Sequence, residues 1–343
     1  MTRRAAILPS HTPELFAAAV AQAVALLRAG EVVALPTETV YGLAANALDP
    51  AAVHRIFEVK GRPADNPVIV HVAGMDLARR CAATWPRVAD RLARAFWPGP
   101  LTLVVERASE LPDAVTAGGS TVGLRWPSHP FIQAVIRQAG FPLAAPSANR
   151  STELSPTNAE HVNRSLGDAI PLIVDGGQAQ VGIESTVLDV TTLPPRVLRP
   201  GMISEEAIRA VLGTDSEVEP PNAGQSVTAI RRSPGLMARH YAPRTRLTVL
   251  AWASKDELEM QLAARGWNPR RCGIVAHTVI PGGESFGDVS VIPHDPEAFA
   301  RALYAELHRC DALNLEGIVV EAVPADPSWR AVADRLRRAS TPA

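Results

Sequence analysis

Short apolar runs alternate with helix-like segments along most of the chain, and this alternation constrains the fold more than any other feature of the sequence. Residues 13–29 have the pattern of a helix, with Thr12 as the N-cap and Pro13 in the first turn. A buried strand is predicted next, around 32–35, and a polar loop is expected over 37–47. Strands and helices that alternate in this way predict an α/β fold.

The same alternation continues as far as residue 212 and restarts after residue 244. Between these points the chain carries scattered Pro, Gly and Ser and has neither a helical nor a strand period, which is typical of a long linker. We therefore predict a larger α/β domain at 1–213, a linker at 214–244 and a smaller α/β domain at 245–343.

Composition excludes several classes of protein. The formal charge is -1, which argues against a protein that coats nucleic acid by bulk charge, and 47% of the 343 residues are hydrophobic, enough for packed cores. Three cysteines without a CxxC pair indicate neither a disulfide framework nor a thiolate zinc site. No apolar run approaches the ~20 residues of a membrane span, so we expect a cytoplasmic protein with no membrane partner.

The basic residues are distributed very unevenly between the two types. Of 34 Lys and Arg residues, only Lys60 and Lys255 are lysine. A coding bias towards Arg explains the excess, but a lysine that persists in such a chain is a candidate for a role that a planar guanidinium cannot fill. Neither lysine follows a glycine, which excludes the Gly-Lys-[Ser/Thr] sequence of a P-loop.

Two polar clusters have the composition of an anion site. Lys60 and Arg62 lie two residues apart on a segment with Gly and Pro, and Asn66 follows. Ser147 and Asn149 come directly after an apolar strand, where hydroxyl, amide and backbone N–H groups can bind phosphate. An ordinary solvated helix end and simple turn chemistry are the alternatives for the two clusters.

Three further groups of polar residues accompany predicted strands. Thr37, Glu38, Thr39 and Tyr41 follow the first strand, and His71 ends another, where a satisfied core histidine is the plainer interpretation. Arg125 lies in an apolar run, and because a buried charge is costly, it requires a carboxylate from a ligand or a neighbour. The last group comprises Glu184, Ser185 and Thr186 with Arg199, for which surface polarity is the alternative.

Taken together and in this order, these segments resemble the threonylcarbamoyl-AMP synthases, the long two-domain form of the YrdC-like family. The resemblance is nearly continuous over 15–243, and its most specific stretches are PTETVYGLAANA (36–47), KGRPADNPVIVHV (60–72), TVGLRWPSHP (121–130), APSANRS (145–151), GIESTVLDV (182–190) and SPGLMARHYAP (233–243). One departure is Thr152-Glu153, where the family usually has a Gly.

The resemblance implies a fold and a reaction. The fold is a YrdC-like twisted open sheet with helices, followed by a linker that covers the active site and a Rossmann-like C-terminal domain. The reaction is nucleotidyl transfer, in which L-threonine, bicarbonate or CO2, and ATP give threonylcarbamoyl-AMP and pyrophosphate. The product serves a downstream tRNA threonylcarbamoyl transferase complex that modifies the adenosine next to the anticodon.

The resemblance also assigns residues to roles. Lys60, Arg62, Ser147 and Asn149 are implied as catalytic and ATP-binding. The other ATP-binding residues implied are Thr121, Ser155, Arg199 and Tyr241, and those implied for L-threonine are Thr37, His71, Arg125 and Ser185. Mg2+ is expected to arrive with ATP, and no dedicated protein metal site is predicted.

Elementary chemistry is compatible with this set. A carbamate formed from threonine must attack the α-phosphorus in line, so positioning and electrostatic stabilisation dominate, and no acid–base dyad is required. Two alternatives remain open at this point: an RNA-binding module of the YrdC-like type without adenylyl transfer, and carbamoyl transfer from carbamoyl phosphate. Some weak RNA contact is also expected of the leading hypothesis.

Overall fold

The computed structural model describes residues 4–213, 218–220 and 241–340. The chain divides into two compact units, one formed by 1–151 with 155–236 and the other by 152–154 with 237–343. The predicted domain limits at 213 and 245 stay a prediction. Most of the linker predicted at 214–244 lies outside the described residues, and so does its expected covering of the active site.

The first unit contains a mixed sheet with helices on both faces. Its described strands are β1 (Ala6–Pro9), β2 (Val33–Leu35), β3 (Gly42–Asn46), β4 (Val70–His71), β5 (Leu101–Glu106), β6 (Thr121–Arg125), β7 (Leu143–Ala144), β8 (Leu172–Asp175), β9 (Thr186–Asp189) and β10 (Arg196–Arg199). Within the described residues they form one ten-stranded sheet in the order β1-β8-β2-β3-β7-β4-β6-β5-β9-β10. The predicted open α/β sheet is confirmed.

Eight helices are described in this unit: α1 (Pro13–Arg28), α2 (Pro50–Lys60), α3 (Met75–Arg80), α4 (Arg87–Phe96), α5 (Asp113–Thr116), α6 (Pro130–Ala139), α7 (Ala159–Leu166) and α8 (Glu205–Leu212). The predicted N-cap of α1 is present, because Thr12 Oγ1 accepts a hydrogen bond from Leu15 N at 3.3 Å. Along β2, Val33 and Leu35 belong to the core cluster that includes residues of α1 and α6, whereas Ala34 belongs to the cluster that includes residues of α2 and α4. This alternation buries both faces of the sheet.

The loop predicted over 37–47 is only partly a loop, and this prediction was wrong for its second half. Residues 42–46 form β3, which pairs antiparallel with β2 on one side and with β7 on the other. Because β3 lies in the interior of the sheet, its small residues Gly42, Ala44 and Ala45 are buried and show no polar alternation. The polar character of 37–39 masked this strand.

The second unit has a smaller sheet whose described strands are all parallel. The strands are β11 (Arg246–Leu250), β12 (Cys272–Ala276), β13 (Asp288–Val291) and β14 (Gly317–Glu321), in the order β11-β14-β12-β13. Three helices accompany them: α9 (Lys255–Ala263), α10 (Pro296–Ala312) and α11 (Arg330–Ala339). This agrees with the predicted Rossmann-like α/β domain. In neither unit does a described helix combine the length and the apolar character needed to cross a bilayer.

Candidate active site

The first part of the site is the S-x-N segment, which we define as residues 146–151 after β7. Its backbone is bound to the neighbouring β3 region, because Leu43 N donates to Pro146 O at 2.7 Å and Ala148 N donates to Tyr41 O at 2.8 Å. Ser147 also forms an isolated bridge with Gly42. These bonds fix the segment in an otherwise irregular part of the chain.

Lys60 connects α2 to this segment. It is the last residue of α2, which ends because Gly61 takes the left-handed conformation at φ 59°. The Lys60 ammonium donates to Ser147 O at 2.5 Å, to Asn149 O, and to Asn149 Oδ1 at 3.3 Å. The structure therefore brings together Lys60, Ser147 and Asn149, as predicted, although 87 residues separate the first two.

Arg62 turns towards a different piece of backbone. Its Nε donates to Asn66 O at 3.2 Å and its Nη2 to Pro67 O at 2.9 Å, and the side chain is buried. The Asn66 side chain is buried too, and neither of its amide atoms has a hydrogen-bond partner among the described residues. A buried amide in this state is a candidate ligand group, and our sequence analysis did not assign it a role.

The second part of the site is the Arg125 cluster, formed by Arg125, Glu38, Thr39 and His71. Arg125 ends β6 and is buried. Its Nη2 lies 2.8 Å from Glu38 Oε1, and its Nη1 donates to Thr39 Oγ1 at 2.8 Å. The carboxylate that the sequence required for Arg125 is therefore supplied by Glu38. Burial is the largest influence and raises the pKa of the Glu38 carboxyl, but the Arg125 charge and the hydrogen bonds from Arg125 and from the Ser128 and Glu38 backbone together outweigh it and hold that pKa below its usual value.

His71 lies beside Arg125 with no hydrogen-bond partner for either ring nitrogen among the described residues. Burial, with a smaller contribution from the Arg125 charge, holds the pKa of His71 well below its usual value. The ring is therefore neutral at physiological pH, with one N–H donor and one acceptor nitrogen. An unpartnered pair of this kind suits a ligand that carries both a donor and an acceptor.

Thr37 and Thr39 share the turn before β3 but use their hydroxyls differently. Thr37 Oγ1 donates to Val40 O at 2.6 Å and accepts from Thr39 N at 3.2 Å, so it closes its own turn. Thr39 Oγ1 is the one that contacts Arg125. The family resemblance assigned Thr37 to the threonine site, whereas Thr39, which belongs to the same polar group, was given no role there.

The third part joins Ser185 to Arg199. Arg199 Nε donates to Ser185 O at 3.1 Å and its Nη2 to Ser185 Oγ at 3.2 Å. Thr102 Oγ1 lies 2.7 Å from the same serine hydroxyl. Thr102 was missed by sequence reasoning; its signal was a hydroxyl inside the apolar run LTLVVE, at a fully buried position.

The other predicted ATP residues are more dispersed. Ser155 is fully buried, and its hydroxyl donates to Glu184 Oε1 at 2.5 Å. Thr121 begins β6 at the rim of a cavity of about 10 Å³ that Ile69, Val104 and Val187 also line. Tyr241 belongs to the second unit, where its ring packs against Tyr304 and beneath the guanidinium of Arg335, so its role at the ATP site stays a prediction.

Backbone hydrogen bonds connect these parts within the first unit. Val181 N donates to Glu38 O at 2.7 Å and Gly182 N donates to Thr39 O at 3.1 Å, which ties the loop before Ser185 to the Arg125 cluster. Arg125 Nε also donates to Gly99 O at 3.3 Å, one residue before the carbonyl that accepts from Thr186 N. Hydrogen bonds to the backbone therefore join the Arg125 cluster to the segments that carry Ser185.

The second unit contains a polar cluster at the carboxyl ends of its strands. Glu321 ends β14, and its carboxylate accepts from the backbone N–H groups of His277, Thr278 and Val279. His277 Nδ1 lies 2.7 Å from His294 Nδ1, a proximity that their separation of 17 positions along the chain does not indicate. Asp288, Glu306 and Cys310 also converge, but the Arg309 guanidinium pairs with both carboxylates.

The departure from the family pattern at Thr152-Glu153 coincides with an unusual backbone conformation. Thr152 has a φ of 72°, in the left-handed region that glycine adopts most easily. Its carbonyl accepts from Ala242 N at 3.0 Å within the second unit. The chain therefore keeps the conformation that a glycine would favour without having one.

Comparison with known proteins agrees with this arrangement. A family profile described as telomere recombination matches residues 25–201, and a profile described as the C-terminal domain of threonylcarbamoyl-AMP synthase matches 203–341. Threonylcarbamoyl-AMP synthase of Pyrococcus abyssi is 40% identical over 93% of both chains. The Bacillus subtilis protein of the same name is 41% identical over 94% of this chain and 92% of its own.

Solved structures give the same result. Crystal coordinates of P. abyssi Sua5 complexed with L-threonine superpose with a TM-score of 0.87 at 38% identity, covering 97% of this chain and 96% of that one. A double alanine variant of P. abyssi Sua5 gives a TM-score of 0.89 at 37% identity, covering 98% and 96%. Because two family profiles match it, because 40% identity extends over 93% of it, and because its fold is the same, the chain belongs to the threonylcarbamoyl-AMP synthase family, in the two-domain form.

Proposed function

We propose that this chain is a nucleotidyltransferase that joins L-threonine, bicarbonate or CO2, and ATP into threonylcarbamoyl-AMP and pyrophosphate. The observation that carries the proposal is the buried Arg125 cluster, which offers a cation and an unpartnered neutral imidazole to a small polar ligand. The names of the P. abyssi and B. subtilis relatives and the threonine complex of P. abyssi Sua5 support the same reaction.

Threonine binds in the Arg125 cluster. Its carboxylate pairs with Arg125, whose charge is already oriented by Glu38 and Thr39. Neutral His71 donates to and accepts from the remaining polar groups of the amino acid, and Ser185 contributes its hydroxyl. The Thr37 hydroxyl closes the turn that carries Thr39, and we propose that Thr37 contributes to threonine binding by holding this turn in place.

ATP binds along the S-x-N segment and the Ser185–Arg199 pair. Arg62, Ser147 and Asn149 orient oxygens of the α-phosphate and of the carbamate, with Lys60 beside them. Thr121, Ser155 and Arg199 contact the rest of the nucleotide, and Tyr241 reaches it from the HYAP motif. The Arg199 guanidinium is already fixed by its hydrogen bond to Ser185 O, so it stabilises charge at little reorganisation cost.

The chemistry proceeds in two steps. The neutral amine of threonine adds to the carbon of CO2 and loses a proton, which gives a carbamate. A carbamate oxygen then attacks the α-phosphorus in line, the bond to the β-phosphate bridging oxygen breaks, and pyrophosphate leaves with that electron pair. Because the carbamate is short-lived in water, the site must hold it dry and aligned, and alignment supplies most of the rate.

Mg2+ enters this account as part of the MgATP substrate. It neutralises phosphate oxygens and the charge that develops on pyrophosphate. Two nearby carboxylates already have protein partners, because Glu38 pairs with Arg125 and Glu184 accepts from Ser155. We therefore propose that the phosphate oxygens of ATP hold the Mg2+ ion.

The product requires an acceptor. A mixed anhydride of a carbamate and AMP is an activated acyl donor, so a transferase must consume it. We propose that this acceptor system is the tRNA threonylcarbamoyl transferase complex of the cytoplasm, which modifies the adenosine beside the anticodon, and that any RNA contact of this chain is weak.

An omission experiment tests the proposal. The purified chain is incubated with MgATP, bicarbonate and L-threonine, and pyrophosphate is measured with each component left out in turn. We expect pyrophosphate only in the complete mixture. Release that is indifferent to threonine would contradict the proposal, and salt-dependent RNA binding without any turnover would favour the RNA-binding alternative.

A further inference from the structure

The Lys60 ammonium is surrounded by oxygens of one short segment. Its Nζ donates to Ser147 O, to Asn149 O and to Asn149 Oδ1. An ammonium has three N–H donors, and three oxygens of residues 147–149 lie within hydrogen-bond distance of this one. The ammonium that was expected to bind ATP therefore donates to protein oxygens.

The ammonium is attached to a fixed support. Lys60 is buried and ends α2, whose Ile56 and Phe57 are packed in the core. The backbone of Lys60 also takes part, because Ser151 N donates to Lys60 O at 2.8 Å. Lys60 thus holds both ends of residues 147–151, with its side chain at the start and its carbonyl at the end.

The opposite side of the segment is held by a different element. Ala148 N donates to Tyr41 O at 2.8 Å, and Gly42 pairs with Ser147. The segment therefore lies between β3 on one side and the end of α2 on the other. Removal of the Lys60 donors would leave the carbonyls of Ser147 and Asn149 without their buried partner and free the segment on that side.

The partner cation of the K-x-R pair has a separate duty. Arg62 donates to the carbonyls of Asn66 and Pro67. A planar guanidinium spreads its donors over a fork, whereas an ammonium directs three donors from one point at convergent oxygens. This difference explains why a chain with 32 arginines and two lysines keeps a lysine at this position.

We propose that Lys60 is a positioning residue, which acts on the reaction by holding the Ser147 and Asn149 side chains in place instead of by neutralising phosphate. The inference rests on the proposed function for its kinetic consequences but not for its structural ones. It predicts that charge alone at position 60 does not preserve activity, because Arg is at least as good a phosphate ligand as Lys.

The kinetic test is a double-mutant cycle between Lys60 and Asn149. Lys60→Arg, Asn149→Ala and the double variant are assayed by threonine-dependent pyrophosphate release, with Lys255→Arg as the matched control at the other lysine. We expect Lys60→Arg to lower kcat about 100-fold, the usual effect of ~1 Å misplacement of a reacting group. In the Lys60→Arg background, Asn149→Ala should then lower kcat by less than about threefold, because the Asn149 side chain is already displaced there.

A structural readout separates this inference from the proposed function. Hydrogen–deuterium exchange of the Ala148 and Ser151 amides is compared between the wild type, Lys60→Arg and Lys60→Met, with the α1 amides as the folding control. Exchange at 148 and 151 should be at least about tenfold faster in both variants while α1 is unchanged. Near-wild-type kcat in Lys60→Arg, fully multiplicative effects in the cycle, or unchanged exchange would overturn the inference. A wild type without threonine-dependent turnover would refute the proposed function alone.

Discussion

His71 and Arg125 lie directly opposite each other in the register of the parallel strands β4 and β6. A neutral imidazole is thereby placed beside a guanidinium that Glu38 already compensates. Because both side chains come from the last residue of a strand, the sheet itself sets their separation, and the ligand does not have to order either one.

The depressed pKa of His71 predicts a pH dependence with a definite sign. Burial and the Arg125 charge lower the pKa of His71 in the folded state, while the unfolded chain has the ordinary value of about 6.5. Below that value the unfolded state binds more protons, so the free energy of unfolding falls by up to about 1.4 kcal/mol per pH unit until the folded pKa is reached. Urea unfolding of the wild type and of His71→Gln across this range measures it.

The loss should be smaller in His71→Gln, since the variant has no proton to bind at this position. The ring can also be followed directly by NMR, with its resonance assigned by its absence from the variant. Two results would contradict the claim that His71 is buried and neutral in the folded state. One is a His71 resonance that titrates near the ordinary pKa, and the other is an equal loss of stability in both proteins below that pKa.

Removal of Arg125 should weaken threonine binding and, separately, lower the free energy of unfolding. Arg125→Ala leaves the Glu38 carboxylate buried without its partner, and this typically costs about 3–5 kcal/mol of stability. Arg125→Met combined with Glu38→Gln removes both charges and should recover most of that loss. Thermal unfolding of the single and double variants measures the difference.

The double variant then isolates the role of Arg125 in binding. We expect its apparent KM for threonine to rise at least about tenfold, as for the loss of a charged hydrogen bond, with the KM for ATP within about twofold of wild type. Equal increases in both KM values would place Arg125 outside the threonine site.

Gly201 is predicted to be indispensable to the Ser185–Arg199 pair. A Cβ on Gly201 would lie 2.3 Å from Thr186 N and 2.7 Å from Ser185 C, and both are backbone atoms that cannot swing away. Gly201→Ala should therefore cost about 1–3 kcal/mol and displace Ser185. The matched control is Gly74→Ala, where an added Cβ meets nothing within 4 Å.

Thermal unfolding and threonine-dependent pyrophosphate release should both be impaired in Gly201→Ala and normal in Gly74→Ala. Wild-type behaviour of Gly201→Ala would mean that Gly201 is not packed against Ser185 and Thr186 as described.

The carboxylate of Glu321 is expected to stabilise the second unit above its pKa. Burial raises the pKa of Glu321, but hydrogen bonds from the N–H groups of His277, Thr278 and Val279 and from the Thr278 hydroxyl outweigh it and lower that pKa. The stabilisation is therefore complete above the unfolded value of about 4.3 and disappears as the pH falls through the lower folded pKa.

Glu321→Gln tests this by thermal unfolding at neutral and at acidic pH. The amide replaces one accepting oxygen by a donor that faces N–H groups, so the variant should lose about 1–3 kcal/mol at neutral pH. The gap to wild type should narrow in acid. A gap that is constant with pH would show that the carboxylate charge is not what the loop recognises.

How much of this molecule could be read from its sequence depends on the range of the signal. Thr12 and Pro13 predicted the start of α1, because an N-cap and a first turn depend only on neighbouring residues in the sequence. β3 was hidden, because an interior strand of small residues has no alternation and its neighbours are paired only in three dimensions. The α/β architecture was predictable; the sheet order was not.

The site follows the same rule. Arg125 was known to need a carboxylate, but Glu38, 87 positions earlier, is identified only by the fold. Likewise Thr102 reaches Ser185 across 83 positions, and its own strand pattern gave no hint of a partner. The resemblance grouped Lys60 with the S-x-N residues and the structure places them in contact, yet which oxygens the ammonium contacts depends on side-chain geometry that no spacing encodes.

The most direct test of the central claim follows the atoms of the three substrates. The chain is given 13C-bicarbonate and L-threonine with ATP labelled either at the α- or at the γ-phosphate, and the products are identified by mass and by label. The account predicts that the α-label, the 13C and threonine appear together in one adenylate, with the γ-label in pyrophosphate. Release of the γ-label as orthophosphate with ADP, or an adenylate that lacks the 13C, would contradict it.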